Sequence, residues 1–104
     1  MRVIYVSCRP DDAAGLAERL VEERLVACAS IVPRVESVYR WEGRVEREAE
    51  AMLWMETSDE RVDQAVARIE ALHDYDVPKI IVQRDATAQP AYAAWVEAET
   101  RPEP

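Results

Sequence analysis

The sequence predicts an α+β sandwich in which two helices cover one face of a four-stranded sheet. Three features carry this prediction: apolar runs at residues 3–6 and 80–82, two segments with apolar residues at helical spacing, and a pair of strand-like runs joined at Glu42 and Gly43. The chain order is therefore strand, helix, strand, strand, helix, strand. Right-handed crossovers place these four strands in one sheet, so we expect one domain over residues 1–104.

The first strand and the first helix follow from the opening residues. Residues 3–6 are apolar at consecutive positions, which is typical of a strand buried on both faces, and the run ends at Cys8. Pro10-Asp11-Asp12 predicts a turn and an acidic N-cap for a helix that extends to about Leu25. Its apolar face contains Ala13, Leu16, Ala17, Leu20 and Val21.

Residues 28–57 predict a long β-hairpin whose two loop residues are Glu42 and Gly43, because a two-residue turn of this kind needs positive φ. At roughly 3.3 Å per residue, each arm reaches about 40 Å, whereas a domain of this length has a radius of gyration near 13 Å. The tip should therefore project beyond its own core. The predicted register pairs Trp41 with Arg44, Tyr39 with Glu46, Val35 with Glu50, and Ile31 with Trp54.

Pro33 lies within the first arm and cannot donate a ladder hydrogen bond. It therefore predicts an edge position or a bulge, and a bulge would shift the register by one residue.

The second half of the chain repeats the helix–strand pattern. Ser58 is a candidate N-cap for a helix that extends to about Leu72. Residues 73–78 form a connection, residues 79–83 a last strand, and residues 90–99 a short helix with Tyr92, Trp95 and Val96 on one side. The apolar stripe of the second helix consists of Val62, Ala65, Val66, Ile69 and Leu72.

Residues 3–6, 52–55 and 80–82 are apolar at consecutive positions, so both faces of the predicted ferredoxin-like sheet carry apolar side chains. A single copy would expose a large apolar surface, which monomers avoid. We therefore expect a closed ring of subunits packed sheet to sheet, with the hairpins pairing to neighbours. In the alternative, the short C-terminal helix covers the open face.

Charge and composition exclude several classes of protein. A formal net charge of −8 and a pI near 4.6 argue against nucleic-acid binding, which needs clustered Lys and Arg. The sequence contains no signal-peptide pattern and no apolar run long enough for a membrane span, so we expect a cytoplasmic protein without membrane contact, although a processed precursor would look the same.

The scarcity of amide side chains fits a thermophile, while the excess of Arg over Lys also fits a GC-rich genome.

The sequence offers few candidates for catalytic or metal-binding residues. The sequence contains no Ser-His-Asp order, no Gly-rich phosphate loop and no HExxH motif, so we do not expect an enzyme. Cys8, Cys28 and His73 are candidate metal ligands, but a lone His after a helix is more often a cap and Cys28 among small apolar residues is more often a core residue. In this topology Cys28 and His73 lie at opposite ends of the protomer, whereas Cys8 lies at the same end as His73.

Three glutamates alternate along the second arm of the hairpin and therefore share one face: Glu46, Glu48 and Glu50. Such a row could attract hard cations. More often it forms a solvated edge that faces arginine, so we expect salt bridges.

Several separate motifs resemble the CutA family of divalent-cation tolerance proteins. They are Leu25-Val26-Ala27-Cys28, Ser37-Val38-Tyr39 with Trp41 and Gly43, Glu50, His73-x-Tyr75-x-x-Pro78-x-Ile80, and Tyr92-x-x-Trp95. The resemblance covers nearly the whole chain. The chain departs from the usual family residues at Ser30, Glu56, Asp74 and Lys79, so ligand sites that depend on these positions do not carry over.

The resemblance implies a ferredoxin-like homotrimer with PII-like architecture and a link to copper, as Cu(I) or Cu(II), or to other divalent cations. We expect no organic cofactor. We accordingly expect a homotrimer that binds or buffers divalent metal ions. The alternative is a PII-like sensor that binds a small molecule in clefts between subunits and engages a protein partner. We place six residues in that cleft, although aromatics buried at a subunit seam need no ligand to explain them: Tyr39, Trp41, Glu50, Tyr75, Pro78 and Trp95.

Overall fold

The fold is a four-stranded antiparallel sheet with helices packed on one face. The computed structural model describes residues 1–102, so residues 103 and 104 of the predicted domain lie outside the described part. The strands lie in the order β2-β3-β1-β4, which confirms the predicted ferredoxin-like arrangement. In chain order the elements are β1 (Arg2–Cys8), α1 (Ala13–Glu22), β2 (Cys28–Trp41), β3 (Arg44–Thr57), α2 (Val62–Leu72), β4 (Ile80–Gln83) and α3 (Pro90–Glu99).

The long hairpin and its two-residue turn at Glu42 and Gly43 are both confirmed. Each arm has 14 residues, and Glu42 (φ 49°) and Gly43 (φ 80°) both have positive φ. Two consecutive residues with positive φ match the right-handed twist of the flanking strands. The described chain extends 46 Å along its longest axis but only 21 Å along its shortest, as a projecting hairpin requires.

The register is confirmed in the outer half of the hairpin and wrong at its base. Trp41 faces Arg44, but Ile31 faces Leu53 and not Trp54. The cause is an irregularity between Val32 and Val35, where β2 has one residue more than β3. This bulge contains Pro33, which cannot take part as a donor in the ladder.

The helix boundaries differ from prediction by three to four residues at two ends. α1 ends at Glu22 instead of about Leu25, because Arg24 adopts φ 59° and turns the chain toward β2. Val21, predicted to lie on the buried face, is 41% exposed in this last turn. α2 begins at Val62, because Ser58 starts a separate turn before the helix. In this turn the carbonyl of Ser58 accepts hydrogen bonds from the backbone N–H groups of Arg61 and Val62. α3 has the predicted bounds.

The core lies between the sheet and helices α1 and α2. Its largest fully buried side chains are Ile4, Leu20, Leu53, Met55 and Ile69. β1 is buried on both faces over much of its length, as predicted.

The other face of the sheet, which we call the open face, carries exposed apolar side chains. Trp54 is 49% exposed and Ile81 is 48% exposed, and the ring of Trp54 meets that of Tyr5 edge-on at 5.1 Å. α3 reaches this face at one end, where the phenol of Tyr92 donates a hydrogen bond of 2.8 Å to Glu56. The centre of the open face therefore remains uncovered in a single chain.

Candidate functional site

A groove of about 1150 Å³ runs along the hairpin, between its outer half and the loop that follows α2. We call it the aromatic–acidic groove. It brings together side chains from β2, β3 and the loop at residues 74–77. The residues that define it are Tyr39, Trp41, Glu46, Glu48, Glu50 and Tyr75.

The strand register places these side chains on one face of the hairpin. Tyr39 lies opposite Glu46, Ser37 opposite Glu48, and Val35 opposite Glu50. Directly paired residues in an antiparallel ladder point to the same side, as do residues two apart on one strand. The three glutamates therefore form a row beside Tyr39.

The loop after α2 closes the inner end of the groove through Tyr75. Its phenol donates a hydrogen bond of 2.9 Å to Oε2 of Glu50, which is only 6% exposed. Burial raises the pKa of the Tyr75 phenol, and the hydrogen bond and charge of Glu50 raise this pKa further. The phenol is thus neutral at physiological pH and acts as a donor.

His73 holds this loop in place. The backbone N–H of Tyr75 donates to Nδ1 of His73 at 3.2 Å, so Nε2 carries the ring proton and donates to the carbonyl of Ser7 at 2.8 Å. The two rings of His73 and Tyr75 meet edge-on with centroids 4.5 Å apart. Both nitrogens of His73 therefore have structural partners.

The groove is strongly acidic. Six carboxylates and two basic side chains line it. Two of these carboxylates already have arginine partners: Glu36 pairs with Arg47, and Asp74 lies 3.4 Å from Arg9. No ion pair joins an arginine to Glu46, Glu48 or Glu50 within residues 1–102, so the salt bridges expected for this row do not form within the chain.

The negative charges of the three glutamates contribute to a raised pKa of the neighbouring Tyr39 phenol. Burial raises the pKa of Tyr39, and a hydrogen bond to Glu48 raises it further.

The structure brings together four of the six residues that the sequence placed in a cleft. Tyr39, Trp41, Glu50 and Tyr75 line the groove, and Pro78 lies in the loop between two lining residues. Trp95 lies apart from them on α3, where its ring is 5.5 Å from that of Tyr92. Whether a neighbouring subunit brings Trp95 to the groove stays a prediction.

Sequence reasoning did not assign Asp74 and Asp76 to this site. The alternation of acidic and aromatic residues in the sequence His-Asp-Tyr-Asp was the available signal.

The candidate metal ligands fall into two places, as the topology predicted. Cys8 and His73 line one cavity of about 350 Å³ together with Asp12 and Asp74. Cys28 lines a different cavity on the open face, with its sulfur 3.9 Å from the hydroxyl of Ser30.

The environment of Cys8 favours the neutral thiol. Burial, together with the negative charges of Asp12, Glu50 and Asp74, raises the pKa of the Cys8 thiol to about 11. Within residues 1–102, no three His, Cys, Asp or Glu side chains are grouped closely enough to hold one metal ion. The predicted ligand roles of Cys8, Cys28 and His73 stay predictions.

Comparison with known sequences identifies relatives over nearly the whole chain. The sequence model of a family described as "CutA1 divalent ion tolerance protein" matches residues 2–99. The divalent-cation tolerance protein CutA of Thermus thermophilus is 39% identical over 99 residues, which are 94% of this chain and 96% of that protein.

The rice protein "CutA 1, chloroplastic" is also 39% identical, over 101 residues that cover 95% of this chain. The chain spans 56% of the length of that rice protein and 55% of its Arabidopsis counterpart.

Solved structures agree with these sequence relationships. The structure of the PII-like protein CutA from a Nostoc species in its apo form superposes with a TM-score of 0.93 at 31% identity, covering 99% of this chain and 100% of that one. Fold, family motifs and sequence identity thus agree over the same residues. The chain belongs to the CutA1 divalent ion tolerance protein family.

Proposed function

We propose that this protein assembles as a homotrimer and binds cations, divalent metal ions among them, in the aromatic–acidic groove. The observation that carries this proposal is the imbalance of six carboxylates against two basic side chains in one concave site. A cleft lined by charges of one sign raises the local concentration of ions of the opposite sign. The description of the Thermus relative as a divalent-cation tolerance protein supports this proposal.

The uncovered open face supports the trimeric part of the proposal. Trp54, Ile81 and Val32 are each more than 40% exposed there. A contiguous apolar surface of this kind is unfavourable in water and is typical of a subunit interface. Closed rings bury such a surface in every copy, and sheet-to-sheet packing would place each groove beside a neighbouring subunit.

Two measurements on chelator-treated protein test this proposal. Sedimentation at micromolar concentration should give a particle three times the mass of the chain. Calorimetric titration with Cu²⁺ should then give a weaker affinity, by about tenfold, for Glu48→Gln than for wild type, because one carboxylate charge is lost from the groove. The matched control is Glu70→Gln, which removes an exposed charge on α2 that does not line the groove. A monomeric particle, or an affinity that Glu48→Gln leaves unchanged, contradicts the proposal.

Copper binding at the cavity of Cys8 and His73 is a second candidate. The supporting observation is that a thiol, an imidazole and the carboxylates of Asp12 and Asp74 line the same small cavity. Soft thiolate and imidazole ligands suit Cu(I). Binding would require loss of the Cys8 proton and release of one His73 nitrogen from its hydrogen bond.

The double variant Cys8→Ser with His73→Ala tests this second site, and Cys28→Ser is the control at the other end of the sheet. The double variant should lower the Cu(I) affinity while the protein remains trimeric. Equal Cu(I) affinities in the double variant and in wild type would show that copper does not bind at this cavity.

The likeness to a PII-like protein favours a sensor role for the same groove, with a small molecule as ligand. A thermal-shift panel of metabolites tests this role. A panel that produces no shift in the melting temperature would contradict it.

A further inference from the structure

We propose that the aromatic–acidic groove binds a linear aliphatic oligoamine, a chain with two or three ammonium groups separated by short methylene spacers. This inference rests on the proposed function, in which the groove is the cation site. It goes further by naming the chemical class of the ligand. Three features of the groove favour a ligand with spaced ammonium groups.

The first feature is the spacing of the carboxylates. Glu46, Glu48 and Glu50 occupy alternate positions on one antiparallel strand, which separates neighbouring side chains by about 7 Å. Oxygen ligands of Ca²⁺ or Mg²⁺ lie about 2.0–2.6 Å from the ion, so one such ion does not span the whole row of three glutamates. Ammonium groups separated by three or four methylene groups have a spacing similar to that of the row.

The second feature is the buried charge of Glu50. This side chain is 6% exposed, and its described partner is the phenol of Tyr75, which is a neutral donor. No cationic side chain forms an ion pair with Glu50 within residues 1–102. A buried carboxylate without an opposite charge is costly, and a ligand ammonium group at the inner end of the groove would offset that cost.

The third feature is the set of aromatic rings along the row. Tyr39 lies opposite Glu46, and Trp41 lies two residues farther toward the tip on the same face. Tyr75 lies at the inner end beside Glu50. Aromatic faces attract ammonium groups and also provide apolar contact for methylene spacers. A volume of about 1150 Å³ accommodates an elongated organic cation.

Calorimetric titration of the assembled wild-type protein tests the inference at constant ionic strength. The probes are spermidine, 1,4-diaminobutane, butylamine and Mg²⁺. Spermidine should bind most tightly, and about tenfold more tightly than butylamine, because each added ammonium group gains a carboxylate partner. Glu48→Gln and Trp41→Ala should each weaken spermidine binding by about tenfold, whereas the control Glu70→Gln should not change it.

The possible results separate this inference from the proposed function. If butylamine or Mg²⁺ binds as tightly as spermidine, or if spermidine does not bind, the oligoamine assignment is overturned. The proposal that the groove binds cations still holds after that result if Glu48→Gln weakens the binding of Cu²⁺. If Glu48→Gln changes the affinity for none of these cations, both proposals fail.

Discussion

The phenol of Tyr75 donates a hydrogen bond of 2.9 Å to the buried carboxylate of Glu50, although the two residues are 25 positions apart in the chain. This contact joins the loop after α2 to strand β3 of the hairpin. On the other side of the loop, His73 bonds to the carbonyl of Ser7 in β1. The wall of the groove is therefore tied to two neighbouring strands of the sheet.

Tyr75→Phe should destabilise the protein by about 1–3 kcal/mol, because it leaves a buried carboxylate without its donor. Urea unfolding followed by far-UV circular dichroism measures the change. Tyr92→Phe is the matched control, since it removes a phenol–carboxylate bond of 2.8 Å in an exposed setting and should cost less. Equal losses in the two variants would contradict the role assigned to burial.

The stability of the protein should fall as the pH rises from about 9 to about 11. The pKa of Cys8 is raised from 9.0 to about 11 in the folded chain, so above pH 9 the unfolded chain loses the thiol proton first. The stabilising contribution is therefore complete below pH 9 and is lost through the folded pKa. Unfolding at several pH values should show a shallower decline in Cys8→Ala than in Cys28→Ala. Identical pH profiles would show that Cys8 does not titrate as described.

Trp54→Glu should prevent assembly and leave a soluble monomer or an aggregate, because it places a charge at the centre of the open face. Trp54 is 49% exposed in the single chain, so the substitution does not disturb the core directly. Val21→Glu, which adds the same charge on the helical side, should remain trimeric. Sedimentation velocity distinguishes these outcomes, and a normal trimer from Trp54→Glu would place the interface elsewhere.

The two glycines should respond in opposite directions to alanine. Gly15 lies inside α1, and a Cβ added there has no neighbouring heavy atom within 4 Å, so Gly15→Ala should stabilise the protein by about 0.5–1 kcal/mol. Gly43 has φ 80° in the hairpin turn, so Gly43→Ala should destabilise it by about 1–2 kcal/mol. Thermal unfolding measures both changes, and shifts of the same sign would contradict the assigned backbone conformations.

The sequence by itself determined the order of the elements, the position of the hairpin turn, the fold and the family. Each of these depends on local signals: residues 3–6 are apolar at every position, the stripe from Val62 to Leu72 has helical spacing, and Glu42 and Gly43 suit a two-residue turn. The apolar character of both sheet faces also follows from the sequence. Strand residues alternate between the two faces, so a strand that is apolar at consecutive positions is apolar on both.

The tertiary structure alone decided how these elements meet. Pro33 indicated a bulge, but only the pairing of Ile31 with Leu53 shows that the register shifts by one residue. Nothing local to Glu50 indicates that the phenol of Tyr75 donates a hydrogen bond to it. Such contacts depend on the distances that folding imposes between residues far apart in the chain, whereas local sequence patterns report only on neighbouring residues.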